Sequence, residues 1–366
     1  MIYYLLKRIL LIFPTLFVVM LINFLIIQTA PGGPVEKFLS QINHNSTIKG
    51  EVAGIGADVI NPAGFTANSG SASGMKYQGA SGVDPEIIAK IETLYGFDLP
   101  LNQRFWLMMK KYATFDFGES FYQDKKITTL IWEKLPVSMS LGIWTILLVY
   151  LVSIPLGIKK AVNDGSKFDI WTSTLVIFFH AIPSFLLAIL LIVLLSGGNF
   201  LNIFPLRGLV SSNFDEMSAL QKIGDYFWHM VLPVISMVIG GFAALTFFCK
   251  NSFIEEINKQ YVLSAYAKGL NQKQVLYRHV FRNAMMIVIS GLPAALIGIL
   301  FTSSMLIEVI FSLDGLGLLG YESVLSRDYP MMFASLYIFT LLGLVTNIIS
   351  DITYKIVDPR INFDSK

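Results

Sequence analysis

The sequence predicts an all-α, multi-pass transmembrane helical bundle of about six spans, with a small helical insertion outside the membrane. Three observations carry this. Only 14% of the residues are charged and 54% are hydrophobic, whereas a soluble domain has about 25% charged residues to face water. The apolar residues gather in runs near the roughly 20 residues that a helix needs to cross a bilayer. Lys and Arg fall preferentially into alternate connecting segments, the pattern that orients a multi-pass chain.

The first apolar run is Ile9–Gln28, preceded by Lys7 and Arg8. Its core of about 19 apolar residues exceeds the roughly 7–15 of a signal-peptide core, so retention as a span is expected. Residues 1–28 thus form a short tail and the first helix, and residues 29–137 a long external segment. Within that segment, 50–82 is rich in Gly, Ser, Ala and Asn. With few large apolar residues to offset chain entropy, it is expected to be a flexible loop. Residues 84–134 read as a small helical subdomain. Asp84 stands as an N-cap, Pro85 in the first helical position and Gly96 as a stop, and "NQRFWLMMKKYATF" is amphipathic. Five further spans follow in a core covering 138–366: Ser138–Ile158, Ile170–Ser196, His229–Cys249, Ala284–Phe311 and Met331–Ile356. In lipid an open chain satisfies its backbone only as helix.

Orientation comes from the cations. With the N-terminus inside, the inner segments hold Lys7 and Arg8, then Lys159, Lys160 and Lys167, then Lys250, Lys259, Lys268, Lys273, Arg278 and Arg282, and finally Lys355, Arg360 and Lys366. The two short outer loops hold only Arg207, Lys222 and Arg327. Both termini are therefore expected on the cytoplasmic side.

The inner segment 250–283 is too long for a turn. "NSFIEEINKQYVLSAYAKGL" has helical spacing, and Gly269 sits where a helix ends in a left-handed residue. Asn271, with Gln274 three residues on, begins another helix through a capping box. Small residues Ser264, Ala265 and Ala267 flank the turn and would let another surface approach. Two readings are open on the residues alone: a docking element that moves the fifth span as a lever, or an ordinary basic loop with helical ends.

Several functions are excluded or weakened. A single cysteine, Cys249, rules out an intrachain disulfide and cysteine-pair metal sites, and four unpaired histidines give no metal-ligand spacing. The net charge of +2 gives no reason to expect nucleic acid as a partner. No G-x-x-x-x-G-K-[ST] stretch occurs, so any nucleotide that drives this chain binds elsewhere. Gly315, Gly317 and Gly320 match G-x-G-x-x-G, but a membrane helix precedes them where the fingerprint needs a strand. They are expected to make a tight re-entry at the membrane edge. Glu308, near the outer end of the fifth span, is read as a structural or gating carboxylate, with substrate contact as the alternative. His180, just before Pro183, is read as a bundle-facing hydrogen-bonding residue or a substrate contact. Ser303 and Ser304, with Gly298 and Ala294, give the fifth span a small face suited to close packing or to lining a pathway. Asp351 is expected to pair with a loop cation such as Arg282, and His279 to pack within the loop.

The stretch "YVLSAYAKGLNQKQVLYRHVFRNA" (Tyr261–Ala284) resembles the cytoplasmic coupling loop of ATP-binding-cassette importer permeases, in particular their oligopeptide and dipeptide branch. The general family pattern has E-A-A-x-x-x-G followed by I-x-L-P, and here the glutamate and proline are missing. The branch pattern A-x-A-K-G…R-H-x-x-R-N-A is matched by Ala265, Ala267, Lys268, Gly269, Arg278, His279, Arg282, Asn283 and Ala284. "APGGP" (Ala30–Pro34), "FDFGES" (Phe115–Ser120), "IPSF" (Ile182–Phe185), "EVIFSLDGLGLL" (Glu308–Leu319), "RDYP" (Arg327–Pro330) and "DITYKIVDPRINF" (Asp351–Phe363) resemble the branch in the same order. The glycine-rich insertion and "FPLRGLVSSNFD" (Phe204–Asp215) are similar to its Yej-type members, associated with microcin C and oligopeptide uptake.

The resemblance implies a type I importer permease fold in a bacterial inner membrane. It implies a second homologous permease subunit, two ATPase subunits that carry ATP and Mg, and a periplasmic binding protein that delivers a peptide. This chain would bind no cofactor and do no covalent chemistry. Its coupling residues would be Ser264, Ala265, Ala267, Lys268, Gly269, Asn271, Arg278, His279, Arg282 and Asn283. Glu308, Ser303, Ser304 and His180 remain candidates for gating or the pathway. Import of a dipeptide, glutathione or a nickel chelate is the alternative within the class. An ion-coupled secondary transporter would need ionisable residues in mid-membrane, which the spans scarcely offer.

Overall fold

A computed structural model of the chain describes residues 2–29, 99–120, 122–123, 125–197, 200–293, 295 and 304–357. The expected flexible loop at 50–82, the helix start at Asp84, "APGGP", Ser303, Gly298 and Ala294 lie outside the described residues, as does the chain beyond Val357.

The described residues form helices and connecting loops, with one isolated β-bridge between Glu119 and Lys126. In chain order the helices are α1 (Ile2–Thr29), α2 (Leu101–Ala113), α3 (Ile127–Val162), α4 (Lys167–His180), α5 (Ser184–Leu195), α6 (Ala219–Ile257), α7 (Gln260–Ala267), α8 (Gln272–Val275), α9 (Phe281–Ser290), α10 (Ser304–Phe311), α11 (Leu316–Ser326) and α12 (Tyr329–Val357). A single π-helical turn, Leu276–Val280, joins α8 to α9. Helices α1, α3, α6 and α12 are each long and apolar enough to cross a membrane. Apolar residues such as Leu10, Phe13, Leu151 and Trp171 are exposed along the helices, the outward apolar surface of a protein solvated by lipid rather than water.

The third apolar run is one span in the sequence and two helices in space. α4 and α5 pass as a membrane span only together and are bent by 87° at their junction. Pro183 is the cause: it has no N–H to offer and sits in extended geometry (φ −57°, ψ 134°) as the N-cap of α5. α3 and α6 tolerate Pro136, Pro155 and Pro233 within 36 and 39 residues of continuous helix.

The chain divides into two compact units. The larger takes in Met1–Leu16, Thr129–Tyr321 and Tyr337–Lys366. Its buried residues form two clusters. One comprises Cys249, Phe253, Val262, Ala265, Val275, Val280, Ala284 and Val288, packed against Ile158 and Ala161 of α3. The other comprises Leu141, Ala188, Met230, Leu232, Met237, Ile307, Phe311 and Leu313. Helices α3 and α6 touch at Gly157, where an added Cβ would lie 2.8 Å from the Cys249 Cβ and 2.9 Å from the Thr246 carbonyl oxygen. Asp351 of α12 pairs with Arg8 at 2.7 Å and accepts from the Tyr4 hydroxyl at 3.2 Å. The expected pairing with Arg282 is therefore replaced by one with the first helix, which positions a cation beside α12 while Arg282 faces outward.

The smaller unit comprises Phe17–Thr128 and Glu322–Leu336. Phe105 of α2 packs edge-on against Phe17 and Phe24 of α1, with ring centroids 5.4 Å away in each case. Phe24 also stacks on Phe333.

Candidate functional site

The segment after α6 is built as helix, glycine turn, helix. α7 ends at Ala267 with Lys268 as its C-cap, and Gly269 follows with φ +83°. The Gly269 N–H donates to the Tyr266 carbonyl at 2.9 Å and the Leu270 N–H to the Ala265 carbonyl at 3.4 Å. Those two bonds are the paired closure of a Schellman motif, which needs the left-handed residue that only glycine adopts at little cost. A Cβ on Gly269 would meet nothing within 4 Å, so the demand is conformational and not one of space. Asn271 then starts α8. Its Oδ1 accepts from the Gln274 N–H at 2.9 Å and the Gln274 Oε1 accepts from the Asn271 N–H at 3.1 Å, the reciprocal capping box.

The π turn was not legible in the sequence. It widens the helix by one residue within Leu276–Val280, just where the loop becomes α9. Such turns occur mostly as single interruptions and often at functional places. No proline marks it, because the family's I-x-L-P place is taken here by His279-Val280-Phe281-Arg282.

The segment is amphipathic as a whole. Phe253, Val262, Ala265, Val275, Val280 and Ala284 point into the first cluster. Ser264, Ala267, Lys268, Gly269, Asn271, Arg278, His279, Arg282 and Asn283 are exposed, and with them Leu263, Tyr266 and Tyr277. Two readings from the sequence change. Ala265 is 5% exposed and belongs to the core rather than to an approach surface. His279 is exposed instead of packed, because the π turn sets Val280 inward beside it. Asn283 hydrogen-bonds Glu256 and Tyr261, and the Tyr261 hydroxyl donates to the Glu256 carboxylate at 2.7 Å. Burial, then the Glu256 carboxylate, push the Tyr261 phenol above its ordinary value. Lys259 hydrogen-bonds the same carboxylate, which raises its own pKa.

An ion cluster that sequence reasoning missed ties α3, α4 and α6 together where the segment begins. Lys160 is completely buried and donates to Asp169 Oδ1 at 3.0 Å, to Ser173 Oγ at 2.6 Å and to Thr172 Oγ1 at 2.9 Å. Asp169 also receives Lys250 at 2.7 Å, and Lys250 reaches Asp164 at 2.8 Å. The only sequence signal was a run of charges, Lys159 to Asp169, at the end of an apolar stretch, and it was absorbed there as a marker of orientation.

Glu308 of α10 is also completely buried. Its Oε1 accepts from the Ser138 hydroxyl at 2.7 Å and its Oε2 from the Leu318 N–H at 2.9 Å, while the Leu316 N–H donates to the Ser138 oxygen at 2.8 Å. The carboxylate thus sits at the N-terminus of α11, where unpaired N–H groups and the helix dipole favour negative charge. This explains the glycines. A Cβ on Gly315 would lie 2.5 Å from the Glu308 carboxyl carbon, and one on Gly317 would lie 2.6 Å from the Met305 Cα and 2.9 Å from Glu308 Oε2. Gly317 and Gly320 are inside α11, so helix stands where a tight re-entry was expected; Gly315 and Gly317 make room for the buried acid, while Gly320 has open space beside it.

His180 closes α4 at the 87° bend, and its Nδ1 lies 3.1 Å from the Gly240 carbonyl oxygen of α6. Ser304 opens α10. In the smaller unit, "FDFGES" and "RDYP" come together. The buried Ser120 hydroxyl donates to Asp328 at 2.5 Å, and the Tyr112 hydroxyl donates to the Pro330 carbonyl at 3.2 Å. Burial and the Asp328 charge hold the Tyr112 phenol far above its ordinary value.

The chain is similar to known transport proteins along nearly its whole length. Residues 153–363 match the family described as "Binding-protein-dependent transport system inner membrane component". The chain is 53% identical over 363 residues, 99% of both chains, to the "Inner membrane ABC transporter permease protein YejB" of Escherichia coli O157:H7. It is equally similar, 53% with the same coverage, to the "Peptidoglycan transport system permease protein YejB" of Agrobacterium fabrum. It is 28% identical, over 99% of its length and 100% of the relative's, to the oligopeptide transport permease OppB of Haemophilus influenzae. On these grounds the chain, a bundle of membrane-spanning helices with an exposed helix–turn–helix between its fourth and fifth apolar runs, belongs to the family of inner-membrane components of binding-protein-dependent transport systems.

Proposed function

We propose that this chain is one permease subunit of an ATP-driven, binding-protein-dependent importer of oligopeptides. The observation that carries the reading is the segment Gln260–Asn283. It is anchored in a core shared with α3, α6 and α9, exposes Leu263, Tyr266 and Tyr277 among basic side chains, and leads directly into α9. An apolar and basic face on a rigid helix pair suits docking by a folded protein. With no nucleotide-binding motif in the sequence, that protein is an ATPase subunit carrying ATP and Mg. A second homologous permease subunit completes the pathway, and a periplasmic binding protein delivers the cargo. Both termini and the docking segment lie in the cytoplasm.

The mechanism follows from the packing. Phe253, Val280 and Ala284 fix the docking helices to the start of α9, so displacing the segment displaces the span. Closure of the ATPase pair around ATP then draws the loops of two permeases together and opens the pathway outward. Oligopeptide is the cargo that the OppB relatives' names favour. The Agrobacterium relative's name favours peptidoglycan-derived material as a second reading, and uptake of labelled oligopeptide against labelled peptidoglycan fragments separates the two.

The test is Gly269→Val. Left-handed backbone costs an ordinary residue about 1–2 kcal/mol, and a β-branched one more. The Schellman closure is then lost without any clash in the fold. Uptake in vesicles reconstituted with all subunits is expected to fall at least tenfold while the complex still assembles. Unchanged ATP-dependent uptake refutes the coupling role.

A further inference from the structure

An open cleft of about 550 Å³ lies between the end of α3 and the α8–π–α9 stretch, within the size range of small-molecule sites. Its two walls share one polarity. Along α3 they run from Ile154 and Ile158 to Lys159, in the helix's last turn. Along the other wall they run, in the reverse chain direction, from Phe281 and Leu276 to Lys273. Ile154, Ile158, Leu276 and Phe281 therefore line one end, and the two cations lie towards the other, with Val162, Asn163 and Gln272 beside them. No Asp or Glu occurs among the described residues that line it. The Lys159 ammonium lies 4.6 Å from the centroid of the Phe168 ring of α4. A smaller cavity of about 70 Å³ shares Val162, Gln272 and Leu276 with it and continues inward towards Val262 and Val280.

We propose that this cleft holds an anionic phospholipid, its phosphate between Lys159 and Lys273 and an acyl chain along Ile154, Ile158, Leu276 and Phe281. The order of charge and hydrocarbon matches a lipid standing in one leaflet. Basic pockets between membrane helices are sites at which anionic head groups bind. The occupant would wedge α3 against the π turn, so the lipid would set how freely the docking segment moves. The proposal rests on the docking role of Gln260–Asn283, since Lys273, Leu276 and Tyr277 of that segment line the cleft, but lipid labelling and peptide uptake are read separately, so either can fail alone.

The complete transporter is reconstituted with trace phosphatidylglycerol or phosphatidylcholine, each bearing a photoactivatable acyl chain, and cross-linked peptides are mapped. Phosphatidylglycerol is expected to label the 154–163 or 272–281 peptides at least fivefold more than phosphatidylcholine, since each lysine near the surface contributes about fivefold. Lys159→Gln with Lys273→Gln is expected to remove that preference, and Lys159→Arg with Lys273→Arg to keep it. Size-exclusion profiles identify any variant that fails to assemble, in which case the arginine pair and the wild-type lipid comparison decide. Equal labelling by the two lipids in the wild type overturns the proposal. So does a preference that survives the glutamine pair, or cross-linking of a cysteine at Asn163 to another protein subunit in place of lipid.

Discussion

Asp169→Asn should be among the most destabilising conservative changes in the chain, and the cluster around it gives the reason. Lys160 is 0% exposed, and Asp169 is the only carboxylate that an ion pair joins to it among the described residues. With the charge gone, Lys160 keeps only neutral acceptors: Thr172, Ser173 and the Asp169 carbonyl. Removing one member of a buried ion pair costs about 3–5 kcal/mol, because the other charge stays desolvated and unpaired. At about 1.4 kcal/mol per decade this is two to three and a half decades in the folding equilibrium. The opposite change differs. In Lys160→Met the buried cation is gone, and Asp169 retains Lys250 and the Gly165 N–H at 3.2 Å. Its cost should be nearer 1–2 kcal/mol, as for a lost packing and hydrogen-bonding side chain. The double variant Lys160→Met with Asp169→Asn should recover most of the loss, since Lys250 still has Asp164. Unfolding free energies of the three variants in bicelles or a mild detergent test this. The reasoning fails if Asp169→Asn lies within about 1 kcal/mol of wild type, or if the double variant is no more stable than Asp169→Asn alone.

Other expectations follow from the same geometry. Gly317→Ala forces a Cβ to 2.6 Å from the Met305 backbone and should lower the yield of folded protein sharply, whereas Gly320→Ala, with open space at that position, should be tolerated; comparing the two by fluorescence-detected size exclusion checks this. Glu308→Gln should cost about 1–3 kcal/mol through weakened acceptance from Ser138 and Leu318, read as a lower thermal midpoint. Tyr112→Phe should cost about 1 kcal/mol at neutral pH. The native Tyr112 phenol stays protonated well above the unfolded value near 10, so its contribution is complete below that pH and is lost above it. The gap between wild type and Tyr112→Phe should therefore narrow from pH 8 to pH 11, and a constant gap contradicts the assigned burial.

The spans were legible because a bilayer demands about 20 apolar residues and few charges, and Ile9–Gln28, Ser138–Ile158, His229–Cys249 and Met331–Ile356 each fall within one continuous helix. The Gly269 turn and the Asn271 box were legible because they are local, with every partner within five residues. What escaped depends on distant partners. The composition of the third run reads as one span, yet Pro183 splits it at 87°. Asp351 could be assigned a partner only by topology, and Arg8 was nearer than Arg282. Glu308 and its glycines sit close in sequence, but Ser138, which completes the arrangement, is 170 residues away. The π turn left no residue signature at all.

Cross-linking between the exposed turn and an ATPase subunit tests the central claim most directly. Lys268→Cys, placed in a Cys249→Ala background, sits on the solvent side of the Schellman turn. In the assembled transporter it should form a short-spacer cross-link to the nucleotide-binding subunit, with a yield that changes when ATP is trapped in the bound state. Modification of that cysteine only by reagents added outside sealed, right-side-out vesicles, with no cross-link to the ATPase subunit, contradicts the account.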